Sequence, residues 1–390
     1  MRDRSGICGD QTSEAAMAGS TTPKETPAIR KEVAGELSKI FSLHAAGLDW
    51  PRAILFLDIA LVPMLVFWAI GHEQYLLSAL FGLLLAALDD PGGSYGRRAA
   101  RIAVFALVGA GLTALGFAIG GTAWGWLVVV GFAVTFAAGL AVAFGVRRFA
   151  TALLLNVWFI VALALSFQLH QHARPTSHIW AQVLAWSGGA ALWIAVTFTV
   201  WLIRGREDRP QPVTELPDDT SRQRLTGPVI TFAVIRAGGV ASACALAFGL
   251  ELSYGYWIPI AAVIAMKPSL EQTTLVAAQR LAGALIGAAA ASLLILLPAS
   301  ETGTKLFAMI RGLEVVALVL LMHAVAIRFW NYALYSAAVA AGVLVLVSLP
   351  HRSDYAVEGY RVLWTACGVA IGLGLMLLAG RLGKRDDETP

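Results

Sequence analysis

Long apolar stretches recur along the chain, and they limit the architectures that it can adopt. Residues 102–119 and 124–144 each approach the ~20 residues that an α-helix needs to cross a bilayer core. Only 14% of the residues are charged and 58% are hydrophobic, whereas a soluble domain carries roughly 25% charged residues to keep its surface hydrated. The sequence therefore excludes a water-soluble globular fold and predicts an integral membrane protein.

The apolar segments predict an all-α polytopic membrane protein with about twelve transmembrane helices. The predicted spans are residues 53–70, 75–88, 102–119, 123–143, 149–169, 179–203, 228–250, 256–266, 281–297, 312–325, 331–348 and 362–380. Residues 1–50 are interpreted as a cytoplasmic tail with an amphipathic helix, because apolar residues recur there at helical spacing between charged ones. Residues 204–227 are interpreted as a short cytoplasmic linker and residues 384–390 as a cytoplasmic tail.

Lysine and arginine residues are distributed unevenly over the predicted loops. With the N-terminus inside, the loops after even-numbered spans and both termini hold 23 of the 29 Lys and Arg residues. The outer loops hold five, which are Arg174, Lys305, Arg311, Arg352 and Arg361. Because positively charged loops stay on the cytoplasmic side, both termini are predicted to be cytoplasmic and the protein to reside in the cell (inner) membrane.

A weak internal repeat runs through the chain with a period of about 180 residues. The dipeptide Arg148-Phe149 recurs as Arg328-Phe329. Six crossings in each repeat give two halves of the same orientation, which a pseudo-twofold axis along the membrane normal would relate. The predicted six-helix halves are residues 51–203 and 228–383.

Two of the predicted spans are too short to cross the bilayer. As α-helices, residues 75–88 cover ~21 Å and residues 256–266 cover ~17 Å, whereas the hydrocarbon core measures ~30 Å. The first is followed by Asp89-Asp90-Pro91 and the second ends in Met266-Lys267-Pro268. Proline stops a helix and leaves carbonyl groups without partners, and interrupted helices at matching places in two repeats point to a transport site. The alternative is two ordinary helices that end at proline.

Ionisable residues inside the apolar spans are the second indication of a site, because each is costly in lipid and has to face protein or water. Asp58 and Arg236 lie 178 residues apart, at equivalent positions of the repeat. We expect them to meet near the central axis, either as a static ion pair or as an anion-binding arginine with a proton-coupling aspartate. Glu314 is a second candidate for proton coupling, although its place near a helix end also fits the membrane interface.

Motifs for catalysis or for bound cofactors are absent from the sequence. Cys8, Cys244 and Cys367 show no spacing typical of disulfides or metal ligands. No Walker motif, HExxH motif or nucleophile motif occurs. We therefore expect neither an enzyme nor a metal- or cofactor-dependent protein.

The second half contains an ordered set of motifs that resembles a known family. Tyr256-Trp257-Ile258-Pro259 is followed by Met266-Lys267-Pro268-Ser269 and then by residues 279–287, in which Arg280 precedes glycines at four-residue spacing. This order resembles the fusaric-acid-resistance-like (FUSC) family of integral membrane bound transporters, which includes aromatic acid exporters. The family is also similar to plant aluminium-activated malate transporters, which are anion channels. Many bacterial members carry a large soluble domain between the halves, and this chain has only a short linker there.

The leading hypothesis is secondary export of small organic anions, such as aromatic carboxylates. Arg236 and Lys267 would supply the cationic site, and Tyr256 and Trp257 would offer aromatic faces near it. Asp58 would be the protonatable group. A passive anion channel and a non-transporting scaffold of the cell envelope are the alternatives. The expected partners are the anion and the lipid bilayer, without nucleic acid, and a homo-oligomer is left open.

Overall fold

The computed structural model describes residues 41, 43, 47–90, 93–171, 178–206, 225–297, 303–348 and 356–387. Within these residues the chain forms twelve α-helices, joined by loops and short 3₁₀ turns. In chain order they are α1 (Trp50–Ile70), α2 (Leu76–Asp89), α3 (Tyr95–Ile119), α4 (Trp124–Leu140), α5 (Val146–Gln171), α6 (Ile179–Ile203), α7 (Gly227–Gly249), α8 (Trp257–Ala265), α9 (Leu270–Ile295), α10 (Gly303–Ile327), α11 (Tyr332–Ser348) and α12 (Ala356–Asp387). Each predicted span overlaps one helix, which confirms the all-α prediction for this part of the chain.

The lengths of the described helices fit a multi-pass membrane protein. Nine of them are long and apolar enough to cross a membrane, when α4 is counted together with the 3₁₀ turn that extends it to Phe144. The other three in the described part are α2 with 14 residues, α8 with 9 and α11 with 17. Since a crossing needs ~20 residues, α2 and α8 are too short to cross alone. Their shortness was predicted from the sequence and is confirmed.

Several helices begin earlier than predicted. α9 begins at Leu270 rather than at residue 281, and α12 begins at Ala356 rather than at residue 362. The added turns carry Arg280 and Arg361, which are buried. The prediction placed these arginines in loops because a charged side chain is costly in lipid. Both side chains instead face other helices, so the helices extend past them and the outer-loop assignment of Arg361 was wrong.

Helix contacts follow a similar order in the first and second parts of the chain. α2 packs against α6 as α8 packs against α12, and α3 contacts α5 and α6 as α9 contacts α11 and α12. Glycine permits two of these close approaches. A Cβ on Gly189 would lie 2.1 Å from the Ala79 carbonyl oxygen, and a Cβ on Gly368 would lie 2.2 Å from the Ile258 carbonyl oxygen. Between the two parts, α4 contacts α7 and α10 contacts α1.

The predicted tail and linker lie largely outside the described residues. The predicted N-terminal amphipathic helix and most of residues 204–227 belong to the segments that the structure does not describe. α12 continues to Asp387, past the predicted end of the second half at residue 383. The described helices belong to one unit, Ile40–Pro390. The division of this unit into two repeats stays a prediction.

Candidate functional site

The break after α8 brings an arginine of α7 to the end of that helix. The N–H of Lys267 donates to Thr273 Oγ1 at 3.1 Å, and Pro268 has no N–H to donate, so neither residue continues the hydrogen bonds of α8. The Val263 carbonyl would otherwise accept from the Lys267 N–H within the helix. It accepts instead from Arg236 Nη2 at 3.0 Å. The interruption of α8 therefore fixes one end of the Arg236 guanidinium.

Arg236 is fully buried, and its hydrogen-bonding capacity is only partly used. Its exposed fraction is 0%, and its Nε and Nη1 atoms have no hydrogen-bond partner. Its Cζ lies 4.8 Å from the centroid of the Phe149 ring, and Lys267 Nζ lies 5.9 Å from the same centroid. One aromatic ring of α5 thus contacts both cations that the sequence had singled out. We call Arg236, Lys267 and Phe149 the inner cluster.

No carboxylate neutralises the inner cluster within the described part of the chain. Ion pairs of Arg52, Arg98, Arg101 and Arg311 occur there, but none includes Arg236 or Lys267. An unpaired buried charge is costly, and a cation–π contact offsets only about 2 kcal/mol of that cost even when it is desolvated. Unused guanidinium N–H groups beside a lysine are hydrogen-bond donors suited to an anion. The inner cluster therefore has the chemistry of an anion site.

Tyr256 and Trp257 do not lie beside the inner cluster. They stand at the start of α8, whereas Arg236 and Lys267 contact its end, and the helix between them has 9 residues. The Trp257 ring lies beneath Arg361, with 3.8 Å between the ring centroid and Cζ. Tyr256 packs against Trp257 with 5.2 Å between their ring centroids. The expected proximity of these aromatic rings to Arg236 was wrong, because adjacency to a short helix in sequence does not determine which end of it is approached.

Asp58 and Arg236 do not form the predicted pair. Asp58 is exposed on the surface of α1, while Arg236 is fully buried. Within the described chain no ion pair joins Asp58 to a basic side chain, since the pairs found there involve Asp49, Asp89, Asp90, Glu73 and Glu314. The offset of the repeat predicted the same depth in the membrane for both residues. It could not predict the face of the helix on which each side chain lies.

The second candidate for proton coupling is held in an ion-pair network. Glu314 is buried, and its carboxylate accepts from Arg311 Nη1 at 2.9 Å. Arg311 Nη2 also donates to Glu73, which lies between α1 and α2. Glu314 therefore links α10 to the loop after α1, and its role in proton coupling stays a prediction.

The break after α2 carries charges of both signs. Asp90 accepts from Arg98 Nε at 2.7 Å and from Arg98 Nη2, and Asp89 lies 3.6 Å from Arg101 Nε. Both carboxylates thus have an arginine of α3 as a partner. The sequence drew attention to Asp89-Asp90, but it assigned Arg98 and Arg101 to a loop and so missed the pairing.

Three residues near α8 were not among the predicted site residues. Phe149 belongs to α5, and its contact with Arg236 joins helices that are distant in sequence. The repeated dipeptide Arg148-Phe149 was the available signal for it. Arg280 of α9 and Arg361 of α12 are buried, and their charge had led to their placement outside the spans.

A comparison with protein families matches part of the chain. Residues 240–375 match a family model described as fusaric acid resistance protein-like. The match runs from within α7 to within α12, so it includes Lys267, Arg280 and Arg361. The resemblance that the sequence motifs indicated is thereby confirmed over these residues. No curated protein and no solved structure matches the chain.

Proposed function

We propose that this membrane protein transports small organic anions and that the inner cluster binds the anion. One observation carries the proposal: Arg236 is fully buried, and two of its guanidinium nitrogens have no hydrogen-bond partner. A buried charge normally has a counter-charge or a full set of hydrogen bonds. A carboxylate arriving from solution would provide both, to Arg236 and to the neighbouring Lys267.

The capping of α8 accounts for only part of the arginine. A structural cap needs the single Nη2 donor that binds the Val263 carbonyl. A neutral donor at the same place would cap the helix without burying a charge. The positive charge and the remaining N–H groups of Arg236 are therefore the features that a ligand explains and a cap does not.

The Phe149 ring contributes to the choice of substrate. It lies against both cations of the inner cluster and offers an apolar surface next to them. An anion with an aromatic or other hydrophobic body can place its carboxylate at Arg236 while its body contacts apolar helix surface. We therefore propose aromatic and other hydrophobic carboxylates as the substrate class.

The arrangement of the helices supports a transporter built from two halves. The inner cluster combines α5 of the first predicted half with α7 and the α8–α9 break of the second. Equivalent helix contacts recur in both parts of the chain, as expected for repeats that move against each other around a central site. An interrupted helix near mid-membrane is a frequent component of such sites.

Export is the proposed direction of transport. The positive-inside distribution of Lys and Arg residues favours cytoplasmic termini and a location in the inner membrane. Lys267 is partly exposed and follows an even-numbered span, so an anion from the cytoplasm would meet it before Arg236. Leaving a cell that is negative inside releases about 2.3 kcal/mol per charge per 100 mV. Export therefore requires no ATP-hydrolysing domain.

Uptake of a labelled aromatic carboxylate into inverted membrane vesicles tests the proposal. Arg236→Gln and Lys267→Gln are each expected to lower the initial rate by roughly tenfold or more, since losing one charged hydrogen bond is worth about 1.5–3 kcal/mol. Lys305→Gln is the matched control, because Lys305 is exposed on α10 and should leave the rate unchanged. Equal rates in all the variants would refute the assignment of the inner cluster. Saturable uptake supports a carrier, whereas ohmic current would identify the alternative, a passive anion channel.

A further inference from the structure

A second group of buried cations surrounds the start of α8. Arg361 of α12 has an exposed fraction of 2%, and Arg280 of α9 has an exposed fraction of 7%. The Arg361 guanidinium stacks on Trp257 at 3.8 Å from the ring centroid. The Tyr256 ring packs against Trp257, and Arg280 donates to Ser336, which lies one turn of α11 before the Ala340 carbonyl that Arg361 binds. We call Arg361, Arg280, Trp257 and Tyr256 the outer cluster.

The arginines of the outer cluster use only neutral hydrogen-bond partners. Arg361 Nη1 donates to the Ala340 carbonyl at 3.1 Å, and Arg280 Nη1 donates to Ser336 Oγ at 3.0 Å. The Nε atom of each arginine is buried without a hydrogen-bond partner. In the part of the chain that the structure describes, neither arginine has a carboxylate within ion-pair distance. Two buried like charges repel, and neutral acceptors do not remove that repulsion.

The start of α8 adds to the positive potential at this place. The helix dipole gives the N-terminal end of a helix a partial positive charge, and here that dipole acts alone, because the Trp257 and Ile258 N–H groups already donate to the Tyr254 and Gly255 carbonyls. Trp257 is the first residue of α8, so this end of the helix lies beside the Arg361 guanidinium. Half-helix N-termini in transporters are used in this way to hold anionic groups.

We propose that the outer cluster is a second binding site for the carboxylate group of the same organic anion. The proposal rests on the proposed function and extends it, because it assigns a separate site to Arg361, Arg280 and Tyr256. Arg361 and Arg280 supply the charge, and the Tyr256 hydroxyl, which already hydrogen-bonds Gln168, is a further polar group beside them. The Trp257 and Tyr256 rings supply apolar surface beside these donors, which would contact the body of the ligand.

The two clusters lie along one short helix. Arg361 contacts α8 at Trp257, and Arg236 contacts it at Val263. Six residues of helix correspond to ~9 Å. This distance is close to the length of a small aromatic carboxylate, so an anion that leaves Arg236 has to move only a short way to reach Arg361. Several sites of moderate affinity allow faster passage than one tight site, because an ion in the next site lowers the barrier to leaving. The outer cluster therefore receives the anion from the inner cluster.

Equilibrium binding of a labelled aromatic carboxylate to the purified full chain in detergent tests the second site. The wild type is expected to bind two anions per chain, and Arg361→Gln and Arg236→Gln one each. In vesicles, Arg361→Gln should lower the maximal rate several-fold and change half-saturation from the cytoplasmic side little, because the inner cluster is intact. Arg236→Gln should raise half-saturation. A structural role for Arg361 alone would leave the stoichiometry at its wild-type value.

The outcomes separate this inference from the proposed function. If the wild type binds one anion, which Arg236→Gln loses and Arg361→Gln keeps, the outer site is refuted and the proposed function stands. If the wild type binds no carboxylate, both are refuted. Should Arg361→Gln fail to fold, Tyr256→Phe removes only a hydroxyl from the outer cluster and should weaken one of the two binding events severalfold. Unchanged binding of both anions by the Tyr256→Phe and Arg280→Gln variants would overturn the proposal.

Discussion

The breaks after α2 and after α8 are alike in how a carbonyl near the helix end is hydrogen-bonded, but they differ in their charged residues. In each, an arginine from another helix or loop donates to a carbonyl near the end of the short helix: Arg328 to the Leu88 carbonyl, and Arg236 to the Val263 carbonyl. At the first break, Asp90 pairs with Arg98 and Asp89 with Arg101, so two of the three arginines there have a carboxylate partner. At the second, the equivalent positions are Met266 and Lys267, and the positive charge is left without a carboxylate.

This difference separates a structural break from a binding break. At the first break, each carboxylate already has an arginine within ion-pair distance, so an added anion would compete with carboxylates of the protein itself. At the second break, no carboxylate of the described residues pairs with Arg236 or Lys267, so an entering anion has no such competitor. The first break should therefore contribute chiefly to folding and the second chiefly to transport.

The largest expected effect is a loss of stability when an ion pair of the first break is removed. Arg98→Ala leaves Asp90 buried without its arginine, and removing one partner of a buried ion pair costs about 3–5 kcal/mol. Thermal unfolding of the purified protein should shift to clearly lower temperature. Arg97→Ala is the control, because Arg97 is exposed one residue away. Equal melting temperatures for the Arg97 and Arg98 variants would contradict the structural role of the first break.

A carboxylate introduced at the second break should give it the kind of ion pair that the first break has. In Lys267→Glu, the new carboxylate is expected to pair with Arg236 and to compete with the substrate. Transport should fall about tenfold below that of Lys267→Gln, which corresponds to about 1.4 kcal/mol, while the melting temperature should be no lower than that of Lys267→Gln. Vesicle uptake and thermal unfolding of the two variants measure this. Higher transport by the glutamate variant than by the glutamine variant would show that surplus positive charge is not what binds the anion.

The sequence was sufficient for the helices and for the places where they break. Apolar length located twelve segments, and the prolines after Asp90 and Lys267 marked the two short ones, because hydrophobic thickness and the missing proline N–H act locally along the chain. It also singled out Arg236 and Lys267, which the structure brings to one aromatic ring. These inferences needed only residue type and spacing.

The partners of these residues could not be predicted in the same way. Arg361 and Arg98 were assigned to loops on the assumption that a helical charge would face lipid, whereas both are buried against other helices. Asp58 was expected near Arg236, although rotation of α1 about its own axis decides whether its side chain points inward. Contacts between distant helices depend on that rotation and on packing, and neither is encoded in a local spacing.

A smaller effect is expected from the aromatic ring that the cations of the second break share. Phe149→Leu keeps an apolar side chain but removes the cation–π contacts of Arg236 and Lys267, worth about 1 kcal/mol, so affinity for the anion should change by roughly fivefold. Phe329→Leu is the matched control, since Phe329 occupies the repeat-related position and is exposed. Half-saturation of vesicle uptake is the measurement. Identical shifts in both variants would indicate a general packing effect.

The smallest effect is expected at Asp58, and it bears on how export is driven. Asp58 is exposed on α1 and forms no ion pair with Arg236, so its charge is not part of the contrast between the two breaks. Asp58→Asn should alter the uptake rate by less than about twofold, the size of an exposed charge effect, and should leave its dependence on pH unchanged. Uptake measured from pH 5 to 8 with and without an imposed proton gradient provides the check. If Asp58→Asn alone loses the dependence on the proton gradient, this exposed carboxylate is the coupling group. Binding at the second break would then have to be linked to α1 through another conformation, in which Asp58 approaches that break.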